Sequence, residues 1–209
     1  MELIENLKWR YATKQYDISK KVKDTDLEKI KEAIQLSASS YGLQLFKVLN
    51  IENKSIREKL KPASWGQSPI TDASHLLVFC NYTDAQEKHI DDFLNLKAEV
   101  QGVEIADLKG YGDFMKSKMK EKSSDEISNW TSKQTYLALA NALNACAELK
   151  IDSTPIEGFE QDKYNEILGL NEKDLSASVV VAIGYRNIDD NTQNAKKVRK
   201  PLEVLFEEI

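Results

Sequence analysis

Residues 126–149 constrain this chain more than any other stretch. Leu137, Ala138, Leu139, Ala140, Ala142, Leu143, Ala145, Cys146, Ala147 and Leu149 leave a helix over this span with little polar face. A helix that is apolar nearly all round has to be buried on all sides. A chain of 209 residues has few elements to cover it, so part of the cover is expected from a second subunit.

Two apolar runs of strand length accompany that helix: residues 76–82 (LLVFCNY) and 177–185 (ASVVVAIGY). Both read as central strands covered on both faces. Residues 46–51 read as a further strand, and residues 156–159 as a short strand or turn. Helices are expected over 2–10, 25–37, 53–61 and 163–168. The charged stretch 84–122 also reads as helical, with an interruption near Gly110 and Gly112. Long helical stretches between strong strands point to helices layered over a sheet of four or five strands, an α+β or α/β architecture. With neither repeat nor low-complexity linker, residues 1–209 are expected to form one domain. The end of the chain carries Leu202, Val204, Leu205, Phe206 and Ile209, and so is expected to pack on something, the other subunit included.

Composition closes several routes. Hydrophobic residues make up 41% and charged residues 30%, and the net charge is −5. That balance reads as a soluble globular chain with no overall field for nucleic acid or an anionic membrane. The first residues, MELIENLKWR, carry acids where a signal peptide is basic, and no apolar run is long enough to span a bilayer. A reducing, cytoplasmic location is expected. Cys80 and Cys146 sit in apolar runs and read as small buried hydrophobes. His75 and His89 have no metal-ligand spacing around them, and no nucleotide-loop, zinc-protease or serine-hydrolase motif is present. An enzyme of this composition would therefore draw its chemistry from an organic cofactor.

Three segments offer that chemistry. Arg10-Tyr11-Ala12-Thr13-Lys14 places two cations where the first helix ends. Pro155-Ile156-Glu157-Gly158-Phe159 is a rigid turn that sets an acid beside a glycine. Lys196-Lys197-Val198-Arg199-Lys200-Pro201 is the densest basic run in an acidic chain. Each alone has an ordinary reading: a helix C-terminal cap, a tight turn, a solvated basic face. Together they suit a phosphorylated flavin. Arg10, Lys197 and Arg199 supply the forks and ammonium that a phosphate monoester takes. Gly158 lets backbone approach a flat ring, and Lys14 offers positive charge for the reduced ring.

The ordered set of motifs resembles the nitroreductase family, in its bacterial oxygen-insensitive NAD(P)H nitroreductase and dihydropteridine reductase branch. The residues that carry the resemblance are RYATKQYD (10–17), SASSYGLQ (37–44), DASHLLVFC (72–80), the run from Trp130 through KQ-x-YLALANAL to residue 143, PIEGF (155–159) and KVRKP (197–201). They cover almost the whole chain, and the spacings from Lys14 to Glu157 and from Gly158 to Arg199 match the family's usual layout.

The resemblance implies an α+β fold around a mixed sheet, and an intertwined homodimer with FMN bound at each subunit interface. NAD(P)H would be the electron donor, with nitro compounds, quinones or similar small molecules as acceptors in a ping-pong two-electron cycle. Residue by residue, it places Arg10, Lys197 and Arg199 at the FMN phosphate and Lys14 at the pyrimidine side of the ring. Ser39 would come from the partner chain, and Tyr11, Ala12, Gln67, Pro155, Ile156, Glu157 and Gly158 would complete the cofactor site. No catalytic side chain and no metal are required. Tyr41, Tyr111, Phe114 and Met115 are expected to line the acceptor pocket. Three departures from the family pattern stand out. Tyr11-Ala12 replaces a His-Ser pair, Gly66-Gln67 stands where an Asn is common, and Pro69 stands where many relatives keep a second Lys. The alternatives are a dihydropteridine or flavin reductase, and a flavin-binding protein of this fold without turnover.

Overall fold

The computed structural model describes residues 1–209. Helix α1 (Glu2–Trp9) leads through an extended segment to α2 (Asp24–Gln35), β1 (Phe46–Asn50), α3 (Lys54–Leu60), the short α4 (Pro69–Asp72) and β2 (His75–Tyr82). Two long helices follow, α5 (Glu87–Gln101) and α6 (Ile105–Lys120), and then α7 (Ser124–Glu148). The chain closes with β3 (Asp152–Ile156), α8 (Gln161–Leu168), β4 (Leu175–Gly184) and a four-residue turn of helix, α9 (Leu202–Leu205). The architecture is α+β.

The four strands lie in the order β1-β2-β4-β3. Every neighbouring pair is antiparallel, so within one chain the sheet is not the mixed one that the family resemblance implied. β2 and β4 are central, as their apolar runs required, and helices cover both faces. On one face Leu77, Phe79, Val179, Val181 and Ile183 meet α2 and α7 through Ile30, Ala138, Ala142 and Cys146. On the other, Leu76, Val78, Val180 and Ala182 meet Leu60, Ile70 and Tyr164.

β4 changes phase along its length. The register with β2 shifts between Phe79 and Cys80, leaving Ser178 as an extra residue. This bulge lets Ala177 and Val180 face the same layer although three positions apart. It also turns the Ser178 hydroxyl to accept from Thr135 on α7 at 2.9 Å.

The charged stretch differs from its sequence reading. α6 runs unbroken through Gly110 and Gly112, and the break falls earlier, at Gly102 (φ +64) after α5. Gly112 serves packing: a Cβ there would meet the Leu94 side chain at 2.5 Å, so its absence lets α6 lie close on α5. α7 begins with a capping box in which Ser123 and Glu126 satisfy each other's backbone N–H groups.

Within one chain α7 is not buried on all sides: Tyr136, Leu137 and Ala140 are exposed. α1 presents Leu3, Ile4 and Leu7 outward and buries Asn6 instead, which donates to Glu148 and accepts from Lys150. The tail is exposed throughout residues 196–209, with Leu202 and Phe206 each 71% exposed. No helix is long and apolar enough to cross a membrane.

Candidate functional site

β3 is an edge strand, and the extended segment after α1 runs beside it. Thr154 Oγ1 donates to the Thr13 carbonyl at 2.7 Å, and the Tyr16 hydroxyl reaches both Thr154 and the Ala182 carbonyl. This pairing carries Arg10 to β3, where Nη2 donates to the Ser153 carbonyl at 3.4 Å. The buried Nε of Arg10 has no acceptor.

The C-terminal basic run reaches the same place. Lys197 Nζ donates to the Leu7 carbonyl at 2.5 Å and to the Arg10 carbonyl. Burial, then the like charge of Arg199, lowers the Arg10 guanidinium below its ordinary value. Burial, then Arg10 and Arg199, lowers Lys197 in the same way. None of the three cations belongs to a salt bridge. Three positive groups without a salt-bridge partner are the chemistry that could hold an anion.

The other end of β3 offers donors of a different kind. No group of the chain accepts from the N–H of Glu157 or of Gly158. The turn that carries them is held from three sides. Tyr136 of α7 donates to Glu157 Oε1 at 2.6 Å. Gln67 Nε2 donates to the Gly158 carbonyl at 2.8 Å and to the Ser64 carbonyl at 3.0 Å, which leaves its carboxamide oxygen without a partner. The Trp65 ring lies so close that a Cβ on Gly158 would meet it at 2.7 Å. Lys14 is tied into the same strip, since Ser68 Oγ donates to its carbonyl at 3.2 Å and its own N–H donates to Asp190 at 2.8 Å. Its side chain is exposed.

The structure thus brings Lys197 onto the Arg10 backbone at one end of β3, with Arg199, whose guanidinium donates to the Val198 carbonyl at 2.6 Å, near enough for its charge to act on both, and sets Lys14, Gln67, Glu157 and Gly158 at the other end. Several expected residues are placed differently. The Tyr11 ring lies against Arg186 and its hydroxyl donates to Asp190 at 3.1 Å, so both ends of its side chain already have partners within the chain. Ile156 turns its side chain into the core, leaving only its backbone for the site. Pro155 and Ala12 are half-buried and add no polar group. Ser39 Oγ accepts from Gln44 N at 3.0 Å, and no hydrogen bond joins Ser39 to the β3 strip of its own chain. Pro69 is buried at the start of α4.

An aromatic wall stands apart from the strip. Tyr41, held at φ 58, packs edge-on against Tyr111 and Phe114, with ring centroids 6.5 and 6.4 Å away. Trp130 adds a fourth ring at 6.3 Å. Met115 is not part of this wall. It is fully buried in the cluster with Leu94 and Met119, because it lies on the inward stripe of α6 that Gly112, Met115 and Met119 share, while Tyr111 and Phe114 lie at the margin of that stripe and stay exposed. A cavity of about 460 Å³ between α5 and α6 also lies away from the strip, and the Lys116–Asp91 ion pair occupies its rim.

Sequence reasoning missed Tyr136, Trp65, Asp152, Arg186 and Asp190. Asp190 is buried and accepts from the backbone of Lys14, Gln15 and Thr192. Burial opposes its charge, but these donors outweigh it and hold the carboxyl below its ordinary range. None of these residues sits in a local motif; only Tyr136 fell inside a quoted run.

The nitroreductase family model matches residues 7–185. A provisionally named NAD(P)H nitroreductase of Haemophilus influenzae is 38% identical over 97% of this chain and 94% of its own length. One from Bacillus subtilis is 36% identical, covering 94% of each chain. Among solved structures, a provisionally named NAD(P)H:FMN oxidoreductase from Staphylococcus epidermidis superposes with a TM-score of 0.89 at 18% identity, over 99% of this chain and 95% of the other. A provisionally named nitroreductase from Exiguobacterium sibiricum, solved in complex with FMN, gives 0.84 at 19% identity, over 100% and 98%. The extent of the sequence matches, over a chain folded in this way, places this protein in the nitroreductase family.

Proposed function

We propose that this chain is an FMN-dependent oxidoreductase that takes electrons from NAD(P)H and passes them to nitro compounds, quinones or related small acceptors. The observation that carries the reading is the pairing of two unlike sites along β3. Arg10, Lys197 and Arg199 lie without a salt-bridge partner at one end, where the one carboxylate, Asp152, is taken by Arg186, and the free N–H groups of Glu157 and Gly158 lie at the other. Ser153 and Glu157 are four residues apart, about 13 Å along an extended strand. A phosphate at the cations and a flat polar ring at the turn would be joined by one extended linker. The FMN-bound neighbour and the names of the relatives support the same cofactor and donor.

FMN would supply the hydride acceptance and two-electron donation; the chain would bind, orient and polarise. Arg10, Lys197 and Arg199 would hold the phosphate. Lys14 would place positive charge beside the ring, and the unpartnered oxygen of Gln67 would accept from it. The turn's two N–H groups would donate to the ring's polar edge. Donor and acceptor would occupy the same open face in turn, a ping-pong cycle, with the Tyr41, Tyr111 and Phe114 wall, which stands apart from the strip of its own chain, bordering the acceptor side of the second subunit's site. The chain would act as one domain in a cytoplasmic homodimer, with Ser39 contributed to the partner's site. The exposed apolar groups of α1, α7 and the tail suit such burial.

The visible spectrum of the purified protein tests the reading. A flavin band that survives dialysis, bleaches with NADH or NADPH, and returns on adding a nitroarene or quinone is the expected result. A colourless protein that takes up no FMN from excess would overturn it.

A further inference from the structure

Arg10 is flanked in sequence by Trp9 and Tyr11, and both neighbours do the same thing. The Arg186 guanidinium lies 4.6 Å from the centroid of the Trp9 ring and 4.6 Å from that of Tyr11. Arg10 has open, polyproline-like backbone (φ −68, ψ 144), in which successive side chains point in different directions about the chain. With Trp9 and Tyr11 held by Arg186, Arg10 is turned away from them, toward the Ser153 carbonyl, Lys197 and Arg199.

Arg186 is itself pinned. Its Nε and Nη2 donate to Asp152 Oδ1 at 2.9 and 2.6 Å, and its backbone N–H donates to Oδ2 at 2.8 Å. Asp152 is buried and directly precedes Ser153, the residue whose carbonyl receives Arg10. Segments on both sides of the contact are therefore referred to one ion pair: residues 9–11 through the stacked rings, and residues 152 and 153 through β3.

We propose that Arg186, held by Asp152 and stacked on Trp9 and Tyr11, is a positioning residue that aims Arg10 at the anion. It would act through Arg10 and not through the ligand itself. Its planar fork fixes the Arg10 backbone, so the guanidinium meets a phosphate already oriented. This inference rests on the proposed phosphate site.

The test compares FMN with riboflavin, which differ only in the phosphate. Dissociation constants for both are measured by flavin fluorescence quenching for the wild type, R10Q, R186K and W9L. R186K keeps a charge beside Asp152 but loses the fork and the stacking plane. W9L leaves the Asp152 pair whole and removes one ring, so it reads the same effect if R186K does not fold. The expected result is a wild-type preference for FMN that falls roughly tenfold in R186K and several-fold in W9L, the scale on which orienting partners act at other charged sites. Riboflavin affinity should stay close to that of the wild type. In an R10Q background neither change should reduce the preference further.

A merely structural role would weaken both ligands alike and leave their ratio intact, and that outcome overturns the proposal. So does a full FMN preference in R186K or W9L when R10Q has lost it. If the wild type itself binds riboflavin as tightly as FMN, the phosphate site falls first, and the inference falls with it.

Discussion

Tyr136 donates from its hydroxyl to Glu157 Oε1 across 2.6 Å, joining the middle of α7 to the turn after β3. Burial, and after it the Glu157 carboxylate, pushes this phenol up to about 12, so it remains a donor through the physiological range. The bond fixes the side chain of Glu157 while the N–H groups of Glu157 and Gly158 stay free. The Y136F variant should keep its melting temperature within a few degrees, because the residue is partly exposed. FMN binding should weaken by about fivefold, the scale of one net hydrogen bond of ~1 kcal/mol. Flavin titration beside a thermal melt checks both.

Gly158 faces the Trp65 ring so closely that a methyl group has no room unless the ring moves. Trp65 is exposed and can swing outward. G158A is therefore expected to fold with stability within about 1 kcal/mol of the wild type, while shifting tryptophan emission to the red and weakening flavin binding. An unchanged emission spectrum together with unchanged flavin affinity would contradict the close packing of this turn.

Alkaline stability should follow the tyrosines of the β3 strip. Burial raises Tyr16 well above the ordinary tyrosine value of 10.0 and pushes Tyr11 up to about 12. The folded chain then keeps protons that the unfolded chain releases near 10, so stability is fully present below that pH and falls as pH rises toward 12. Melting temperatures from pH 8 to 12 should show a plateau and then a decline. In Y16F the decline should be shallower, although the plateau is lower because the bonds to Thr154 and Ala182 are lost.

Removing residues 196–209 separates two roles of the tail. These residues bury no apolar side chain within the chain, and the Lys197 ammonium makes its contacts with the Leu7 and Arg10 carbonyls. The shortened chain is expected to keep its circular dichroism spectrum and to lose FMN retention, since two of the three gathered cations go with the tail. Sedimentation should show a shift toward monomer if the exposed apolar tail is covered by the second subunit.

Much of the fold was legible because it depends on local pattern. The apolar runs of β2 and β4 had the length and composition of strands covered on both sides, and that is where they lie. The candidate cations were legible as an excess: Lys197 and Arg199 stand in the densest basic run of an acidic chain. Gly110 and Gly112 misled, because a glycine that breaks a helix and one that lets two helices approach look alike until the Leu94 contact is known. The place of Tyr11 in a cofactor-like motif says nothing of Arg186 lying against its ring. Met115 follows Phe114 directly, yet helical geometry sends one into the core and the other to the surface.

The sequence by itself determined most of the helices, the two central strands, and which residue types are available for an anion and a flat ring, while it set the short strand at 156–159 where β3 covers Asp152–Ile156. Those properties follow from periodicity and charge over a few neighbouring residues. Only the tertiary structure decided that β3 lies at the edge, that Arg10 meets the C-terminal cations beside Ser153, and that Asp152 and Arg186 form a pinned pair under Trp9 and Tyr11. Such contacts join residues far apart in the chain, and their geometry is fixed by strand order and packing, which no short stretch of sequence contains.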